Sequence, residues 1–374
     1  MKKLMAKVKE EAGKRKIRYT VISKKLNVTT GMVSNYLNAT NSISFFKFLE
    51  LLNLIFEEEN SNNKDGFIKE FFDFPQKTEY VKEAIEWSFV NGRIKQAAEL
   101  LGNYEGKDDI LTVYSLLLRR NQGSLSKEDY YKRIHELPLH SSDDHDLKTL
   151  WRIAQLYAIL DFKGYSLVDF HTKEIENLIE GISNEFLAAS FRLRIMEAAA
   201  YTSLRRNEVS KCRLAAIKAI KDTNEEMFPI PVSSIYNLLA ESYVFENAAV
   251  ALEYNKKALQ IFNKSLPENV HRKRALEATA DFIKIHSGDN KELFLSDPAE
   301  RIHLLAMSKH KDENELALEL LEKIEREEGE LSPFQKYYKG LADKNIKTLL
   351  EAEEAFVLRG DIFYSYLPKL VKFR

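Results

Sequence analysis

The sequence predicts an all-α protein with an N-terminal helix-turn-helix domain followed by a tetratricopeptide-like helical solenoid. Apolar residues recur with the 3.6-residue period of an α-helix as far as the C-terminus, and no stretch alternates with the two-residue period of a strand. Only 13 glycines and 8 prolines are spread over 374 residues, which indicates short connections between helices. The third observation is a helix-turn-helix pattern at positions 19–38, YTVISKKLNVTTGMVSNYLN.

The apolar positions of this pattern give each of its two helices a buried side. Ile22 and Leu26 lie four residues apart on the first helix. Val33 and Leu37 repeat that spacing on the second helix and return it to the core. Asn27, which lies between the helices, is one of the few residues besides glycine that accept a left-handed backbone, so we place the turn there.

The outward face of the second helix is small and polar, which suits contacts with base edges and phosphates in a DNA major groove. We expect the cations beside it to neutralise phosphates and the polar side chains to read bases. Either Thr29 or Thr30 is expected to cap the helix. The candidate DNA-binding residues are Arg18, Lys24, Lys25, Thr29, Thr30, Ser34, Asn35 and Asn38. The alternative is a plain helical hairpin, a common unit of all-α proteins.

The charge distribution favours DNA binding by this end of the chain. Residues 1–56 contain 11 lysines and arginines against 3 aspartates and glutamates, whereas the remaining residues contain 45 against 54. The formal net charge of −1 therefore combines a basic head of +8 with an acidic body of −9. A basic head on an acidic body is typical of a DNA reader whose regulatory domain must not itself bind DNA.

Two further helices and a connector complete the predicted head. A basic helix over 3–16 should pack on the helix-turn-helix, and a largely apolar helix over 44–56 should be buried. The stretch 57–66, EEENSNNKDG, is charged, rich in asparagine and ends in glycine, which indicates a solvated linker. The predicted domains are therefore a DNA-binding head at 1–56 and a helical solenoid at 67–374.

Weak internal repetition predicts the solenoid. The segment ENAAVALEYNKKALQIF at 246–262 follows NLLAESYVF at 237–245, and related phrases occur at 212–221 and 315–324. Small and aromatic residues occupy tetratricopeptide-like positions at Ala240, Tyr243, Ala251 and Ala258. Small residues at such points let paired helices approach closely, and stacked pairs bury a continuous core. An irregular helical bundle with chance similarity is the alternative.

Few residues point to catalytic chemistry. The single cysteine, Cys212, excludes an intramolecular disulfide, and its apolar surroundings predict a buried thiol in a reducing cytoplasm. No apolar run is long enough to cross a membrane, and the lysine-rich start lacks the apolar core of a signal peptide. Nucleotide-binding, zinc-protease and serine-hydrolase motifs are absent from the sequence. We therefore expect neither an enzyme nor a cofactor.

Histidines and carboxylates cluster once in the sequence. The densest group of potential metal ligands comprises His140, Asp143, Asp144, His145 and Asp146. Their closeness in one polar loop argues against a metal site, because a closed site needs ligands that converge from rigid elements. We expect a solvated loop here, and surface positions on one helix for His303 and His310.

Taken together, the chain resembles the phage arbitrium receptors, which are peptide-responsive regulators with this layout. Three stretches carry the resemblance: SNYLNATNSISFFKFLELLNLI at 34–55, SFRLRIMEAAAYTSL at 190–204 and GDIFYSYLPKLVK at 360–372. The resemblance implies a homodimer that binds a two-part operator in double-stranded DNA and controls the lysis–lysogeny decision. It also implies that a secreted signalling peptide of about six residues enters the solenoid and stops productive DNA binding or transcriptional activation.

The resemblance and the residue spacing together give a candidate peptide site. The resemblance implies that Asp361 and Phe363 contact the peptide, with the carboxylate facing a cationic side chain. Spacing places Asn237 and Glu241 on one helix face, where an asparagine amide can pair with a peptide backbone. The candidate peptide-binding residues are Tyr201, Arg205, Asn237, Glu241, Asp361 and Phe363. An ordinary exposed helix position is the alternative for those chosen by spacing alone.

The sequence departs from the family pattern at two places. An expected arginine is replaced by the segment 228–231, FPIP, and an expected asparagine by Glu241, so the peptide or its selectivity should differ. Two other functions stay open at this stage. One is a helical scaffold or inhibitor that binds a protein partner without DNA, which salt dependence would distinguish. The other is a peptide-regulated phosphatase or response-regulator inhibitor, against which the basic helix-turn-helix argues.

Overall fold

The computed structural model describes residues 1–56, 62–74, 77–104, 108–265 and 270–372, and no strand occurs among them. The predicted all-α class is confirmed. The helices are α1 (Lys2–Lys14), α2 (Tyr19–Lys25), α3 (Thr30–Leu37), α4 (Phe45–Ile55), α5 (Asn62–Phe72), α6 (Thr78–Val90), α7 (Ile94–Tyr104), α8 (Asp109–Asn121), α9 (Lys127–Glu136), α10 (His145–Asp161), α11 (Val168–Ile179), α12 (Glu185–Arg205), α13 (Val209–Lys221), α14 (Pro229–Ser242), α15 (Ala248–Lys264), α16 (Val270–Ser287), α17 (Pro298–Ala306), α18 (Lys311–Glu328), α19 (Pro333–Ala342), α20 (Ile346–Leu358) and α21 (Leu367–Leu370), with 3-10 turns at Tyr165–Leu167 and Tyr364–Tyr366.

The head, α1 to α4, packs around one apolar centre. The basic helix α1 buries Leu4 and Val8, four residues apart, against the helix-turn-helix. Ser44 caps α4 by accepting the backbone N–H of Lys47 at 3.3 Å, and this helix buries six of its eleven side chains. Both helices that the sequence predicted beside the helix-turn-helix are therefore present. Their burial fixes which face of α3 remains outside.

Aromatic contacts join the head to the body. The ring of Phe45, the first residue of α4, lies 5.5 Å from that of Phe71 in α5 and 5.3 Å from that of Trp87 in α6. The backbone N–H of Phe46 donates to Glu83 of α6 at 3.3 Å. The placement of the head therefore depends directly on α5 and α6.

The sequence predicted a linker at 57–66, but the second half of this stretch is helical. Residues 57–61 lie outside the described residues, whereas residues 62–66 begin helix α5. Farther along that helix, Ile68 and Phe71 are fully buried at i, i+3 spacing. Burial of this apolar stripe stabilises the helix despite the low helix propensity of its asparagine and glycine residues.

Antiparallel helix pairs build the body. α12 and α13 are joined by residues 206–208, α14 and α15 by residues 243–247, and α19 and α20 by residues 343–345. A Cβ atom on Gly340 would lie 2.7 Å from a side-chain carbon of Leu349, so only glycine permits the close approach of α19 and α20. The small residues predicted at repeat positions are fully buried, namely Ala240, Ala251 and Ala258. The predicted helical solenoid is confirmed.

The segment after α20 folds back onto the middle of the solenoid. Phe363 and Tyr364 are both buried, and the ring of Tyr364 lies 4.9 Å from that of Phe334 in α19. The backbone N–H of Phe363 donates to the carbonyl of Arg205 at 3.2 Å. This hydrogen bond connects the end of α12 to a segment more than 150 residues later, so residues far apart in sequence meet here.

Candidate functional site

The helix-turn-helix has the geometry that its sequence pattern predicts. Asn27 adopts the left-handed backbone with φ of 50°, between α2 and α3. Thr29 caps α3, because its hydroxyl accepts the backbone N–H of Met32 at 3.2 Å. Val33 and Leu37 are buried, and so is Tyr36 between them. With this side of α3 in the core, its opposite side faces solvent.

The structure places the eight candidate DNA-binding side chains at the surface of the head. All are exposed except Ser34, which is half-buried. Asn38 accepts a hydrogen bond from the ammonium of Lys9 at 2.8 Å and donates to the Ser34 hydroxyl at 3.2 Å. Lys9, on α1, was not among the predicted residues. Its place next to α3 follows from the packing of α1, which no spacing rule within the helix-turn-helix reveals.

A cleft of about 880 Å³ opens in the solenoid and is lined by residues of α6, α8, α9, α10, α12, α14 and α16. This volume is in the range of small-molecule and peptide pockets. The residues that line it are Phe89, Val90, Arg120, Asn121, Gln122, Gly123, Lys127, Tyr157, Leu160, Asp161, Lys163, Arg194, Glu197, Ala198, Tyr201, Ile230, Pro231, Ser234, Asn237, Leu238, His271, Arg272, Ala275 and Leu276. Both apolar and polar side chains line the wall, so the cleft offers both burial and hydrogen bonds.

Arginine–carboxylate pairs form much of the wall. Arg120 binds both oxygens of Asp161, with N–O distances of 2.6 and 2.7 Å. Arg194 binds both oxygens of Glu86 of α6 at 2.9 Å, and the carboxylate of Glu86 is fully buried behind it. Bidentate pairs of this kind fix both partners in orientation. The cleft wall is therefore rigidly cross-linked from α8 to α10 and from α12 to α6.

A second ionic cluster lies beside the cleft, centred on Arg205. The Arg205 guanidinium pairs with Glu241 of α14 and, at 3.2 Å, with Asp361 after α20. The rings of Tyr201 and Tyr364 lie 4.8 and 5.0 Å from its central carbon. A single buried arginine thus joins α12, α14 and the C-terminal segment. Burial raises the pKa of Tyr364 well above its ordinary value, so its hydroxyl stays protonated and donates to Glu241 at 3.3 Å.

Asn237 is held by a hydrogen-bond network on the cleft wall. Its amide nitrogen donates to Glu241 at 3.1 Å and to Thr279 at 3.2 Å, and its amide oxygen accepts from Asn255 at 3.0 Å. Asn237 and Glu241 lie on one face of a helix, as their spacing predicts, and a hydrogen bond joins them. A peptide backbone that forms hydrogen bonds with Asn237 must displace one of these three partners.

The six candidate peptide-binding residues are brought together, but only two of them line the cleft. Tyr201 and Asn237 do so. Arg205, Glu241 and Asp361 form the adjoining cluster. The ring of Phe363 is 3% exposed and packs on Phe245 and Tyr364 at 4.8 and 5.0 Å, away from the cleft lining.

Sequence reasoning missed the paired residues Arg120, Asp161, Glu86 and Arg194. Glu86 and Arg194 are separated by 108 residues, and Arg120 and Asp161 by 41 residues. No periodicity within one helix connects such positions. The only signal was the presence of charged residues in otherwise apolar helices, which by itself names no partner.

The histidine–carboxylate loop serves the fold. Asp144 caps α10 by accepting the N–H groups of Asp146 and Leu147, and Asp146 pairs with Lys82. The ring of His140 lies 4.6 Å from that of Trp151, edge to face. No group of three metal-ligating side chains occurs among the residues that the structure describes.

The prediction of surface positions on one helix was wrong for His303 and right for the exposure of His310, and the two residues do not share a helix. His303 is fully buried in α17, stacked on Tyr338 with ring centres 4.5 Å apart, and its Nδ1 lies 3.0 Å from Glu300. His310 is exposed and directly precedes the next helix, α18, without a side-chain capping hydrogen bond. Aromatic stacking and the Glu300 hydrogen bond stabilise the buried ring.

Two further expectations concern the cysteine and the membrane. Cys212 is fully buried as predicted, and burial raises the pKa of its thiol to about 12, so it is protonated at neutral pH. None of the helices in the described part of the chain combines the length and the apolar character that a bilayer span requires.

Comparison with solved structures shows which known fold the chain shares. Two solved structures are similar: a structure of phAimR with ligand, with a TM-score of 0.71 over 88% of this chain and 97% of that one, and selenomethionine phAimR, with a TM-score of 0.67 over 98% and 95%. Both are 19% identical to this chain, which shows the fold alone.

Sequence comparison is consistent with this fold. An uncharacterized protein of Bacillus anthracis is 27% identical over 228 residues, which cover 60% of this chain and 83% of that protein. The family model described as AimR transcriptional regulator-like matches residues 64–370, most of the chain. The chain therefore belongs to the AimR transcriptional regulator-like family, the family of the phage arbitrium receptors.

Proposed function

We propose that this protein is a DNA-binding transcriptional regulator that is controlled by a short signalling peptide and acts in the cytoplasm of a bacterial host. The observation that carries the proposal is that one chain combines an exposed polar recognition helix with a cleft of about 880 Å³. Residues 1–56 form the DNA-binding head, and residues 67–374 form the peptide-sensing and dimerising body. Membership of the family supports this division of labour.

The head binds DNA through α3 and its basic surroundings. Arg18, Lys24 and Lys25 are exposed beside the helix and neutralise phosphates, while Ser34 and Asn35 read base edges. Thr30, exposed at the start of α3, also reads bases, and Thr29 beside it caps the helix by accepting the Met32 N–H. Asn38 is held in place by Lys9, which adds one more cation to this surface.

The cleft binds the peptide, with Tyr201 and Asn237 in direct contact. The neighbouring cluster of Arg205, Glu241 and Asp361 responds to the peptide through Tyr201, whose ring lies against the guanidinium. Phe363 supports this cluster from behind by burying the C-terminal segment. A peptide of about six residues matches a pocket of this size, since such pockets enclose most of a ligand's surface.

Two physical connections run from the cleft to the head. In the first, Arg194 on the cleft wall holds Glu86 of α6, and Glu83 of the same helix accepts the backbone N–H of Phe46 in the head. In the second, the rings of Phe46, Phe186 and Phe228 stack in sequence, with centres 5.5 and 5.4 Å apart, and Phe228 precedes the cleft-lining start of α14. A peptide that moves α12 or α14 therefore shifts the head and its DNA-competent population.

The homodimer is assigned to the outer face of α20. Ile346, Leu350 and Val357 share one side of this helix and are 66%, 59% and 46% exposed. Leu358 and Leu370 beside them are also exposed. An apolar patch of this kind on a solvent face is typical of an interface. Light scattering should report a dimer for the wild type and a monomer for Leu350→Glu.

Calorimetric titration with the short peptides encoded just downstream of the gene tests the receptor half of the proposal. We expect micromolar or tighter binding at one peptide per chain, with a loss of at least about tenfold for Asn237→Ala. Absence of binding by all of these peptides would contradict a peptide receptor.

Binding of labelled DNA from the region adjacent to the gene tests the DNA-binding part of the proposal. The logarithm of the affinity should fall linearly and steeply with the logarithm of the salt concentration. A complex that is insensitive to salt, or no complex at all, would favour a protein scaffold instead. The matched control is a protein lacking the exposed cations Lys24 and Lys25, both changed to alanine.

A further inference from the structure

We propose that Asn184 is a positioning residue: through Glu83 it connects the start of α12 to the head and fixes where the head lies relative to the cleft. The inference rests on the proposed function and adds to it the contact through which cleft and head are coupled. It is supported by a carboxylate shared between three elements, by the course of α12 and by the directional character of the hydrogen bonds.

The carboxylate of Glu83 connects the head to two helices of the body. Glu83 belongs to α6 and is 7% exposed. One of its oxygens accepts the backbone N–H of Phe46 in α4 at 3.3 Å, and the other accepts the side-chain amide of Asn184 at 2.6 Å. The head, α6 and the start of α12 therefore meet at one buried side chain.

Two helices begin at this junction of Phe46, Glu83 and Asn184. Phe46 is the second residue of α4, and a backbone N–H in the first turn of a helix has no partner within that helix. Asn184 caps α12, because its amide oxygen accepts the backbone N–H of Leu187 at 3.0 Å. The oxygen and the nitrogen of the Asn184 amide are thus both engaged, so the side chain cannot turn without losing a hydrogen bond.

Helix α12 extends from the junction to the cleft. It comprises the 21 residues Glu185–Arg205, which span about 30 Å at the rise of an α-helix. Glu197 and Tyr201, near its far end, line the cleft. Rigid helices carry displacements between distant sites. A ligand that displaces Tyr201 therefore also shifts Asn184.

The hydrogen bonds of the junction differ in kind from the aromatic contact beside them. The rings of Phe46 and Phe186 have centres 5.5 Å apart, and such ring pairs tolerate a range of offsets. A hydrogen bond weakens steeply when it is misaligned. Loss of one to a charged group changes an equilibrium constant by about tenfold or more. The contacts of Glu83, rather than the rings, thus select one position of the head.

Distances between spin labels test the inference on the full chain without any ligand. Labels are attached at Lys3→Cys in the head and Lys173→Cys in α11, both exposed positions, and labelled chains are diluted with unlabelled ones so that distances within one chain are measured. Cys212 does not interfere, because it is fully buried and the pKa of its thiol is raised to about 12. We expect a broader or shifted distance distribution in Asn184→Ser than in the wild type, because serine still caps the helix but is too short to reach Glu83.

A second variant rebuilds the junction with donor and acceptor exchanged. In Glu83→Gln combined with Asn184→Asp, the new glutamine amide donates to the new aspartate, and its oxygen still accepts the Phe46 N–H. This variant should restore the wild-type distances. The matched control is Asn247→Ser, since Asn247 caps α15 in the same way by accepting the Val250 N–H at 3.1 Å. Wild-type distances in Asn184→Ser, or an equal change in the control, would overturn the inference, as would a double variant that remains as altered as Asn184→Ser.

Peptide and DNA separate the inference from the function on which it rests. The probes are labelled DNA from the region adjacent to the gene and the tightest binder among the short peptides encoded downstream. Asn184→Ser should bind this peptide as the wild type does, but the peptide-induced change in DNA affinity should be at least about threefold smaller. A full response in Asn184→Ser would overturn the inference and leave the regulator intact. No response in the wild type would overturn the proposed coupling and the part of Asn184 in it, while the spin-label distances would still decide whether Asn184 positions the head.

Discussion

The head and the cleft present polar residues in opposite ways. In the head, the candidate residues Lys24, Lys25 and Asn35 project from short helices into solvent. In the cleft, Arg194 pairs with a carboxylate whose side chain is fully buried, Glu86. The candidate residues of the head thus lie outside its core, whereas the candidate residues of the cleft also take part in the contacts that stabilise the solenoid. Changes to Lys24, Lys25 or Asn35 should alter DNA binding alone, and changes in the cleft should alter stability as well.

The largest effect should come from breaking the Arg194–Glu86 pair. Arg194→Met leaves the buried Glu86 carboxylate without its cation and should lower the free energy of unfolding by about 3–5 kcal/mol in urea titrations. Adding Glu86→Leu should restore most of this loss, because it removes the uncompensated charge. A head control, Lys24→Met, should change stability by less than about 0.5 kcal/mol. Equal losses of unfolding free energy in Arg194→Met and Lys24→Met would contradict this difference between cleft and head.

The next effect is a dependence of stability on pH that originates in the body. Burial, and secondarily the nearby His303, lowers the pKa of His286 from about 6.5 to about 4. Because the folded-state pKa is the lower one, the unfolded chain binds the proton first, and stability is lost as pH falls from 6.5 through 4. The loss from this residue should be about 2–3 kcal/mol.

His286→Phe isolates this contribution. The imidazole lies almost parallel to the ring of Phe282, with an interplanar angle of 3°, so a phenyl ring can take its place. Melting temperatures measured between pH 7 and pH 4 should fall less in the variant than in the wild type. An identical fall in both would show that His286 does not titrate in this range. DNA binding at neutral pH should be unchanged.

In the head, Asn35→Ala should weaken specific DNA binding by about 1–3 kcal/mol without destabilising the protein. Non-specific binding should hardly change, because it depends on phosphate contacts. Lys25→Ala should instead weaken both kinds of binding and reduce the salt slope by about 1. Equal losses of specific and non-specific binding in Asn35→Ala would contradict its role in reading bases.

The smallest effect tests the framework of the head. Thr29→Ala removes the hydroxyl that accepts the Met32 N–H and should cost about 1 kcal/mol in head stability. Thr29→Ser keeps the hydroxyl and should lower the stability of the head by only a few tenths of a kcal/mol. Hydrogen exchange of the α3 amides would measure both. Faster exchange in α3 with unchanged exchange in α12 would confirm that head and cleft are stabilised separately.

The same comparison explains what the sequence could predict. The head depends on contacts between residues close in sequence, so its periodicity placed Ile22, Asn27 and Val33 correctly. The cleft depends on contacts such as that between Arg205 and Asp361, which are 156 residues apart. Helix spacing joined Asn237 to Glu241, one turn away, but it contained no information on which arginine would pair with Glu241.

The burial of Phe363 and His303 escaped the sequence analysis for a related reason. Both rings are buried by aromatic partners from other helices, Phe245 for Phe363 and Tyr338 for His303. The exposure of a single aromatic residue depends on which helices stack against it, and periodicity within one helix does not specify that. Small residues at repeat positions predicted the solenoid itself, because they are required wherever helices pair closely.

The most direct test of the account is the affinity for labelled DNA from the region adjacent to the gene, measured by fluorescence anisotropy at fixed salt with and without saturating cognate peptide. We expect the peptide to change the affinity by at least about tenfold, since Arg194 and Phe46 connect the cleft to the head through α6 and α12. Glu83→Gln should reduce this change while leaving peptide binding intact. An unchanged DNA affinity at full peptide occupancy would contradict the coupling of cleft and head.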